Sequence, residues 1–208
     1  MSLESDPFGQ SFLEEISATK PQQTQRSRLK RIEEILKKVI PYFQELRFIK
    51  DEITGRPHLE MRYVHWRPNA GWQREDQFSD GTLRMIALIW TLLSSNSLIL
   101  LEEPELSLHK KIVEQIADLI YQARKTRKKS GGQIMVSTHS EALLSNQSID
   151  GNFLILSPRE GGESTQISSP TKEDEKALQS GMTAADILLP QTASSMWKIV
   201  YLQKWLKN

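Results

Sequence analysis

Three short apolar runs, each followed by polar residues, constrain the fold of this chain more than any other feature. They lie at residues 98–101, 134–136 and 153–156. Between and before them, residues 83–93 are apolar nearly all round and residues 112–123 are amphipathic, which predicts two long helices. The alternation predicts an α/β fold of βαβ units, with a mostly parallel sheet flanked by helices and residues 98–101 as a central strand.

The segment before these strands has a pattern of its own, a helix followed by a β-hairpin. Apolar residues recur at helical spacing from Leu29 to Ile40, and Pro41 predicts the end of that helix. Two strand-like runs, residues 46–53 and 58–66, flank a short turn and predict an antiparallel pair.

The two ends of the chain carry weaker patterns. Residues 1–25 are polar, which predicts a flexible lead-in or a cloning remnant ahead of a domain that covers the rest of the chain, residues 26–208. In the tail, helices are predicted over residues 171–180 and 195–206. A shorter helix between them is predicted to begin after Thr183, with Asp186 at its third position.

Composition limits the cellular setting and the kinds of site. The net charge is only +1, which excludes an overall positive electrostatic field that would attract nucleic acid. The absence of cysteines excludes disulfides and metal sites with thiolate ligands. No apolar run approaches the roughly 20 residues that a membrane span needs. We therefore expect a cytoplasmic protein that makes no contact with a membrane.

Polar side chains with chemical potential follow two of the predicted strands. Glu102 and Glu103 end the first strand, and His139 ends the next. Ligands of open α/β sheets bind at the carboxyl ends of strands, so both groups are predicted to line one cleft. Paired carboxylates there suit a Mg²⁺–phosphate complex and an activated water. The alternatives are a solvated acidic turn and a structural histidine.

A third segment precedes the buried helix of residues 83–93. Ser79 or Asp80 is suited to cap that helix, and Gly81 permits close approach of another backbone. A helix N-terminus next to the small hydroxyl of Thr82 is a ready site for an anion. An ordinary N-cap is the alternative.

Together these segments resemble the C-terminal half of an ABC-type ATPase head. The match is to the RecF/SMC-like predicted ATPases, in the AAA group related to the overcoming-lysogenization proteins, and it runs from about residue 28 to residue 165. Residues 78–84 resemble the ABC signature motif, residues 98–103 resemble Walker B, and His139 resembles the switch histidine. The D-loop position is occupied by Leu106, Ser107, Leu108 and His109.

The resemblance implies a role for each matching residue. Glu102 would support the Mg²⁺ shell at a position where the family usually has Asp, and Glu103 would be the catalytic carboxylate that orients the attacking water. His139 would contact the γ-phosphate. The signature would meet a nucleotide held by the opposite head, through Ser79, Asp80, Gly81 and Thr82.

The phosphate-binding P-loop of such heads, Gly-x-x-x-x-Gly-Lys-Ser/Thr, is missing from this sequence. The resemblance implies that a P-loop lies in an N-terminal half upstream of this chain. ATP and Mg²⁺ are then the expected cofactors of the complete protein, an ATPase, and two heads are expected to form a homodimer around the nucleotide. The chain by itself is expected to be inactive.

The biological role stays open between three classes. RecF- and SMC-like ATPases suggest DNA repair, DNA maintenance or phage defence, with DNA as a partner of local basic residues such as Arg28 and residues 124–129. A non-catalytic regulatory or interaction module that retains the fold is the alternative, and a nuclease is the least supported. Trp66 and Trp72 are candidates for stacking on bases or for packing on the hairpin.

Overall fold

The computed structural model divides the chain into two units, Met1–Leu93 and Ser94–Asn208, and each is considered by itself. No helix among the described residues is both long and apolar enough to cross a membrane. The described residues are 10–64, 71–95, 97–125, 133–149, 153–158, 164–192 and 199–202.

The described residues of the first unit form three α-helices and a small antiparallel sheet. Strand β2 lies between β1 and β3, and β1 pairs with β2 from Phe43↔Tyr63 to Lys50↔Pro57, which confirms the predicted hairpin. A short 3-10 turn, Glu75–Gln77, connects the sheet to the last helix. The elements are α1 Gln10–Ala18, α2 Gln22–Val39, β1 Phe43–Lys50, β2 Pro57–Tyr63, β3 Gln73–Arg74 and α3 Asp80–Ser94.

Helix α1 corrects the expectation that residues 1–25 form a flexible lead-in. Residues 10–18 are helical, and Leu13 and Ile16 are buried. The two side chains lie three positions apart and therefore share one helical face, which a polar overall composition conceals. Residues 1–9 lie outside the described part of the chain.

Helices α2 and α3 form as their apolar spacing predicts. Helix α2 ends at Val39, two residues before Pro41. Helix α3 is less enclosed than its apolar residues on nearly every side predict, because Leu83, Leu88 and Leu93 are only partly buried. The buried residues of the two helices are Leu29, Ile32, Ile35, Leu36, Met85, Ile86, Ile89, Trp90 and Leu92.

Within its described residues, the second unit contains a five-stranded sheet and four α-helices. The strand order is β4-β5-β8-β6-β7, and it confirms the α/β class. The elements are β4 Ile99–Glu102, α4 Lys110–Lys125, β5 Ile134–Thr138, α5 Glu141–Leu144, β6 Phe153–Pro158, β7 Thr165–Ser168, α6 Lys172–Gln179, α7 Ala184–Thr192 and β8 Ile199–Leu202.

The pairing within this sheet differs from the mostly parallel arrangement predicted from the sequence. Strands β4 and β5 are parallel neighbours, but β8 runs antiparallel between β5 and β6. Residues 199–202 were predicted to be helical, yet they read Ile-Val-Tyr-Leu, the β-branched and aromatic residues that favour strands. The rest of the predicted helix, residues 195–198 and 203–206, lies outside the described residues.

Strand β4 is also an edge strand within the described sheet rather than a central one. Its neighbour on one side is β5, and Leu100 is 68% exposed. An apolar run is therefore not enough to place a strand in the middle of a sheet, because the pattern does not state what lies on its other edge.

The tail helices α6 and α7 both begin at a capping threonine, and the one ahead of α7, Thr183 with Asp186, is the cap that the sequence predicts. Thr171 and Asp174 form a capping box at the start of α6. Ahead of α7, the Thr183 N–H and hydroxyl donate to Asp186 Oδ2 at 2.8 and 2.7 Å. The Asp186 N–H in turn donates to the Thr183 hydroxyl at 3.2 Å.

We expect the cap of α7 to lose strength in acid. The two hydrogen bonds from Thr183 hold the pKa of Asp186 below its ordinary value of 3.8. A carboxyl with a lowered folded-state pKa stabilises the fold above its unfolded pKa and ceases to do so as the pH falls through the folded-state value. In urea denaturation, Asp186→Ala should therefore be less stable than wild type at neutral pH, and the difference should shrink as the pH falls below 3.8.

The matched control for this cap is Glu175→Ala, because Glu175 is an exposed carboxylate on α6. It should show a smaller difference at neutral pH. A destabilisation by Asp186→Ala that stays the same across the acid range would contradict the capping role of the carboxylate.

Candidate functional site

The two acidic residues and the histidine lie at the ends of neighbouring strands, as predicted. Glu102 is the last residue of β4 and pairs in register with Ser137 of β5. The Glu103 N–H donates to the Ser137 carbonyl at 2.9 Å, so the pairing continues one residue beyond β4. His139 follows directly after β5. Because β4 and β5 are parallel, the side chains emerge at the same edge of the sheet.

Glu103 and His139 are in direct contact at this edge. Glu103 Oε1 lies 2.7 Å from His139 Nδ1, and the two side chains are 29% and 63% exposed. This is a close polar contact between a carboxylate oxygen and an imidazole nitrogen. The other ring nitrogen, Nε2, is left as the group that an external ligand can meet.

The backbone at Glu103 is in an uncommon conformation. Its φ is +41°, in the left-handed region that side chains other than glycine rarely occupy. Such a conformation costs on the order of 1–3 kcal/mol and is concentrated at functional sites. The Leu106 N–H donates to the Glu103 carbonyl at 3.1 Å and closes the turn that follows. The loop thus holds the Glu103 side chain in a direction that ordinary extended backbone would not give it.

The D-loop positions form the connection from this turn to α4. The Leu108 N–H donates to the Glu105 carbonyl at 3.0 Å, and Ser107 has a φ of +65°. Leu106 is 48% exposed. His109 caps α4, since its Nδ1 accepts from the Lys111 N–H at 3.3 Å. His109, the last of the predicted D-loop positions, therefore has a structural task in this chain.

The signature positions lie at the start of α3, in the first unit. Ser79 is the residue that caps the helix, because its hydroxyl accepts from the Thr82 N–H at 3.2 Å and lies 2.9 Å from the Thr82 hydroxyl. Asp80 and Gly81 are the first two helical residues. The ordinary N-cap is thus present, and the N-terminus of a helix of this length also suits an anion.

Two further residues near these strand ends, Glu105 and Thr138, were not predicted from the sequence. The buried Thr138 hydroxyl donates to Glu105 Oε1 and accepts from the Ser140 N–H at 3.0 Å. The sequence contains a hint of this pair, a third glutamate two positions after Glu103 and a hydroxyl directly before His139. Spacing alone does not reveal that the two side chains meet.

The donor set at this edge suits a Mg²⁺–phosphate complex. Among the described residues no three His, Asp or Glu side chains converge into a metal cage. Mg²⁺ does not require one, because it is usually held by one or two carboxylates together with waters and phosphates. Glu102 is exposed at the strand end and offers such a carboxylate.

The aromatic and basic candidates of the first unit have partners within it. The Arg47 guanidinium lies over the Trp72 ring, with Cζ 3.8 Å from the ring centroid. This contact favours packing on the hairpin over stacking on a base. Arg28 lies over the Trp90 ring at 5.3 Å. Outside the described residues are Trp66 and residues 126–129.

Solved structures with a similar fold include heads of SMC ATPases. One, from work on the ATP-driven dimerization and DNA-stimulated activation of SMC ATPases, has a TM-score of 0.54 and 18% identity, with 83% of this chain and 94% of that chain covered. A head domain with coiled coil and joint from Pyrococcus yayanosii has a TM-score of 0.52 and 21% identity, with 76% and 30% covered.

A third structure is the head from Pyrococcus furiosus with an extended coiled coil, bound to the C-terminal domain of ScpA. It has a TM-score of 0.52 and 19% identity, with 75% of this chain and 38% of that chain covered. The chain thus spans less than half the length of the two Pyrococcus chains. At these identities the similarity shows the fold alone, the P-loop NTPase fold of an SMC-like ATPase head.

The family assignment comes from the sequence. No curated protein matches it. The profile of the family described as "AAA domain, putative AbiEii toxin, Type IV TA system" matches residues 3–145, more than half of the chain. The chain therefore belongs to this AAA-domain family and is an ATPase-type domain with the fold of an SMC-like head.

Proposed function

We propose that this chain supplies the hydrolytic half of an ATPase head and works together with a P-loop-bearing N-terminal half. The observation that carries this proposal is the contact of Glu103 Oε1 with His139 Nδ1 at the ends of two parallel strands. A carboxylate that can orient water and an imidazole that can reach a phosphate oxygen are the groups that hydrolysis of a phosphoanhydride needs there.

Each residue has a task in this mechanism. Glu103 accepts a hydrogen bond from the attacking water and orients it toward the γ-phosphate. His139 donates its Nδ1–H to Glu103, and its Nε2, when protonated, donates to a γ-phosphate oxygen. Glu102 helps to hold Mg²⁺, which when bound neutralises phosphate charge. Because phosphoryl transfer depends mainly on positioning and charge, the protein needs few other reacting groups.

A second head completes the site in this proposal. The signature residues of one head contact the nucleotide of the other, and the D-loop lies at the junction. Support comes from the cap at the start of α3 and from the ATP-driven dimerization named for the similar SMC ATPases. The contributing residues are Ser79, Asp80, Gly81, Thr82, Leu106, Ser107, Leu108 and His109.

The missing phosphate cradle leads to the first test of this function. Without Gly-x-x-x-x-Gly-Lys-Ser/Thr in its sequence, the chain lacks the backbone N–H groups and lysine that hold the β- and γ-phosphates. Isothermal titration of the chain with Mg-ATP should therefore show no micromolar binding. The same titration after addition of the P-loop-bearing half should show it. Micromolar binding by the chain alone would refute the division of labour between two halves.

Phosphate release separates catalysis from a second candidate, a regulatory module that keeps the fold without chemistry. The missing P-loop favours that candidate if no partner supplies one. Mixing the chain with the P-loop-bearing half should produce phosphate in proportion to the complex formed. A complex that forms, binds ATP and releases no phosphate would support the module instead.

We further propose that the ATPase serves DNA maintenance or phage defence. The family description names a toxin of a type IV toxin–antitoxin system, and DNA-stimulated activation is named for similar SMC ATPases. Double-stranded DNA should then increase phosphate release by the assembled protein. A rate of phosphate release that stays the same with and without DNA at low salt would contradict the proposed link to DNA.

A further inference from the structure

Two side-chain contacts join the loop after β4 to the end of β5 and the residue that follows it. The first is the contact of Glu103 with His139, whose atoms lie 2.7 Å apart. The second is the hydrogen bond from the Thr138 hydroxyl to Glu105 Oε1. The proposed reaction uses the first contact, and the proposed function assigns no task to the second.

The Thr138 hydroxyl joins the backbone that follows His139 to the side chain of Glu105. Thr138 is 0% exposed, and its hydroxyl accepts from the Ser140 N–H at 3.0 Å while donating to Glu105. Ser140 in turn caps α5, with its hydroxyl accepting from the Leu143 N–H at 3.4 Å. The residues on either side of His139, Thr138 and Ser140, are therefore joined by the buried Thr138 hydroxyl. Glu105 orients that hydroxyl by accepting its hydrogen bond.

Packing alone gives little reason for a glutamate at position 105. Its second oxygen, Oε2, is buried and has no hydrogen-bond partner within the part of the chain that the structure describes. A buried carboxylate oxygen without a partner destabilises the folded state. The residue is thus better explained by what its other oxygen does for Thr138 than by a contribution to stability.

We propose that Glu105 is a positioning residue, which acts through the Thr138 hydroxyl to hold His139 in contact with Glu103. The catalytic meaning of this contact rests on the proposed function, but the contact itself can be measured without nucleotide. Which ring nitrogen of a neutral histidine carries the hydrogen is set by the hydrogen bond that it makes. With Glu103 Oε1 2.7 Å from His139 Nδ1, we expect the Nδ1–H form of His139.

The test is the tautomer of His139, measured by long-range ¹H–¹⁵N NMR of the imidazole rings at a pH where they are neutral. The chain has four histidines, and His139→Gln assigns the signals of this one. Wild type should show the Nδ1–H form. Glu105→Ala and Thr138→Val should lose it in favour of the Nε2–H form that an imidazole without this partner prefers.

Conservative variants separate positioning from general damage to the fold. Glu105→Gln keeps an oxygen that accepts from Thr138, and Thr138→Ser keeps the hydroxyl, so both should retain the Nδ1–H form. Thr138→Val preserves the shape of the side chain and carries the test if Glu105→Ala does not fold.

Two results would overturn the inference. One is a wild-type His139 in the Nε2–H form. The other is a His139 that keeps the Nδ1–H form in Glu105→Ala and Thr138→Val but loses it in Glu103→Ala, because the contact would then not depend on Glu105.

Hydrolysis by the chain together with the P-loop-bearing half gives an independent measurement. Misplacing a reacting group by about 1 Å can cost about 100-fold in rate, so Thr138→Val should lower kcat by roughly 10–100-fold with little change in KM for ATP. Thr138→Ser should restore most of that rate. If the wild-type assembly releases no phosphate, the proposed function fails, whereas the tautomer result still decides the role of Glu105.

Discussion

Glu103→Gln should lower the rate of ATP hydrolysis by the assembled head by roughly 10²–10⁴-fold, the usual contribution of a positioned general base. The substitution removes the negative charge that attracts the proton of the attacking water. It keeps an oxygen that can accept from His139 Nδ1, which lies 2.7 Å from the wild-type carboxylate. The geometry of the strand ends should therefore survive, and the loss should fall on kcat.

A trapped dimer is the second expected result of Glu103→Gln. If ATP between two heads holds them together and hydrolysis releases them, a head that binds but does not hydrolyse ATP should accumulate as a dimer. Light scattering after gel filtration in Mg-ATP would detect it, alongside a phosphate-release assay. Glu114→Gln, at an exposed carboxylate on α4, is the matched control and should behave as wild type. Unchanged turnover in Glu103→Gln would rule out its proposed role.

Trp90→Ala should destabilise the first unit by about 3–5 kcal/mol, the usual cost of emptying a buried aromatic site. Trp90 is 0% exposed. Its Nε1–H donates to Glu15 at 2.9 Å, the Phe12 ring meets it edge-on at 6.3 Å, and Arg28 lies over its face at 5.3 Å. One side chain on α3 thus contacts both α1 and α2, and its removal leaves a cavity between three helices.

Urea denaturation followed by far-ultraviolet circular dichroism would measure this effect. Trp72→Ala is the matched control, because Trp72 is half-buried and its partners are the guanidinium groups of Arg47 and Arg62 on the sheet. Cation–π contacts at such sites contribute about 0.5–1 kcal/mol, so the control should lose far less stability. An equal or larger loss in Trp72→Ala would contradict the central position assigned to Trp90.

The location of the candidate site could be predicted because it depends on local rules. A short apolar run that ends in Glu102 and Glu103 predicts a strand end. A second run that ends before His139 predicts a neighbouring strand parallel to the first. The residues that follow two parallel neighbours lie at the same edge of the sheet. The structure confirms this juxtaposition with the contact between Glu103 and His139. The chemical roles of these residues remain predictions for the experiments above.

The order of strands could not be predicted in the same way. Strand β8 comes from the end of the chain and pairs with β5 and β6, which lie far from it in sequence. The four residues of β8 favour a strand, but the pattern over residues 195–206 as a whole predicted a helix. Propensity describes each segment by itself, whereas the pairing of distant strands is decided by which edges are available in the folded chain.

The sequence by itself determined the features that depend on neighbouring residues: the α/β class, the hairpin, the cap of α7, and the carboxylates and histidine at the strand ends. Only the tertiary structure decided the features that depend on distant residues. These are the edge position of β4, the strand β8, the burial of Leu13 and Ile16 in α1, and the bond between Glu105 and Thr138. Periodicity and capping act over a few residues, whereas burial and side-chain pairing are set by segments that meet only when the chain folds.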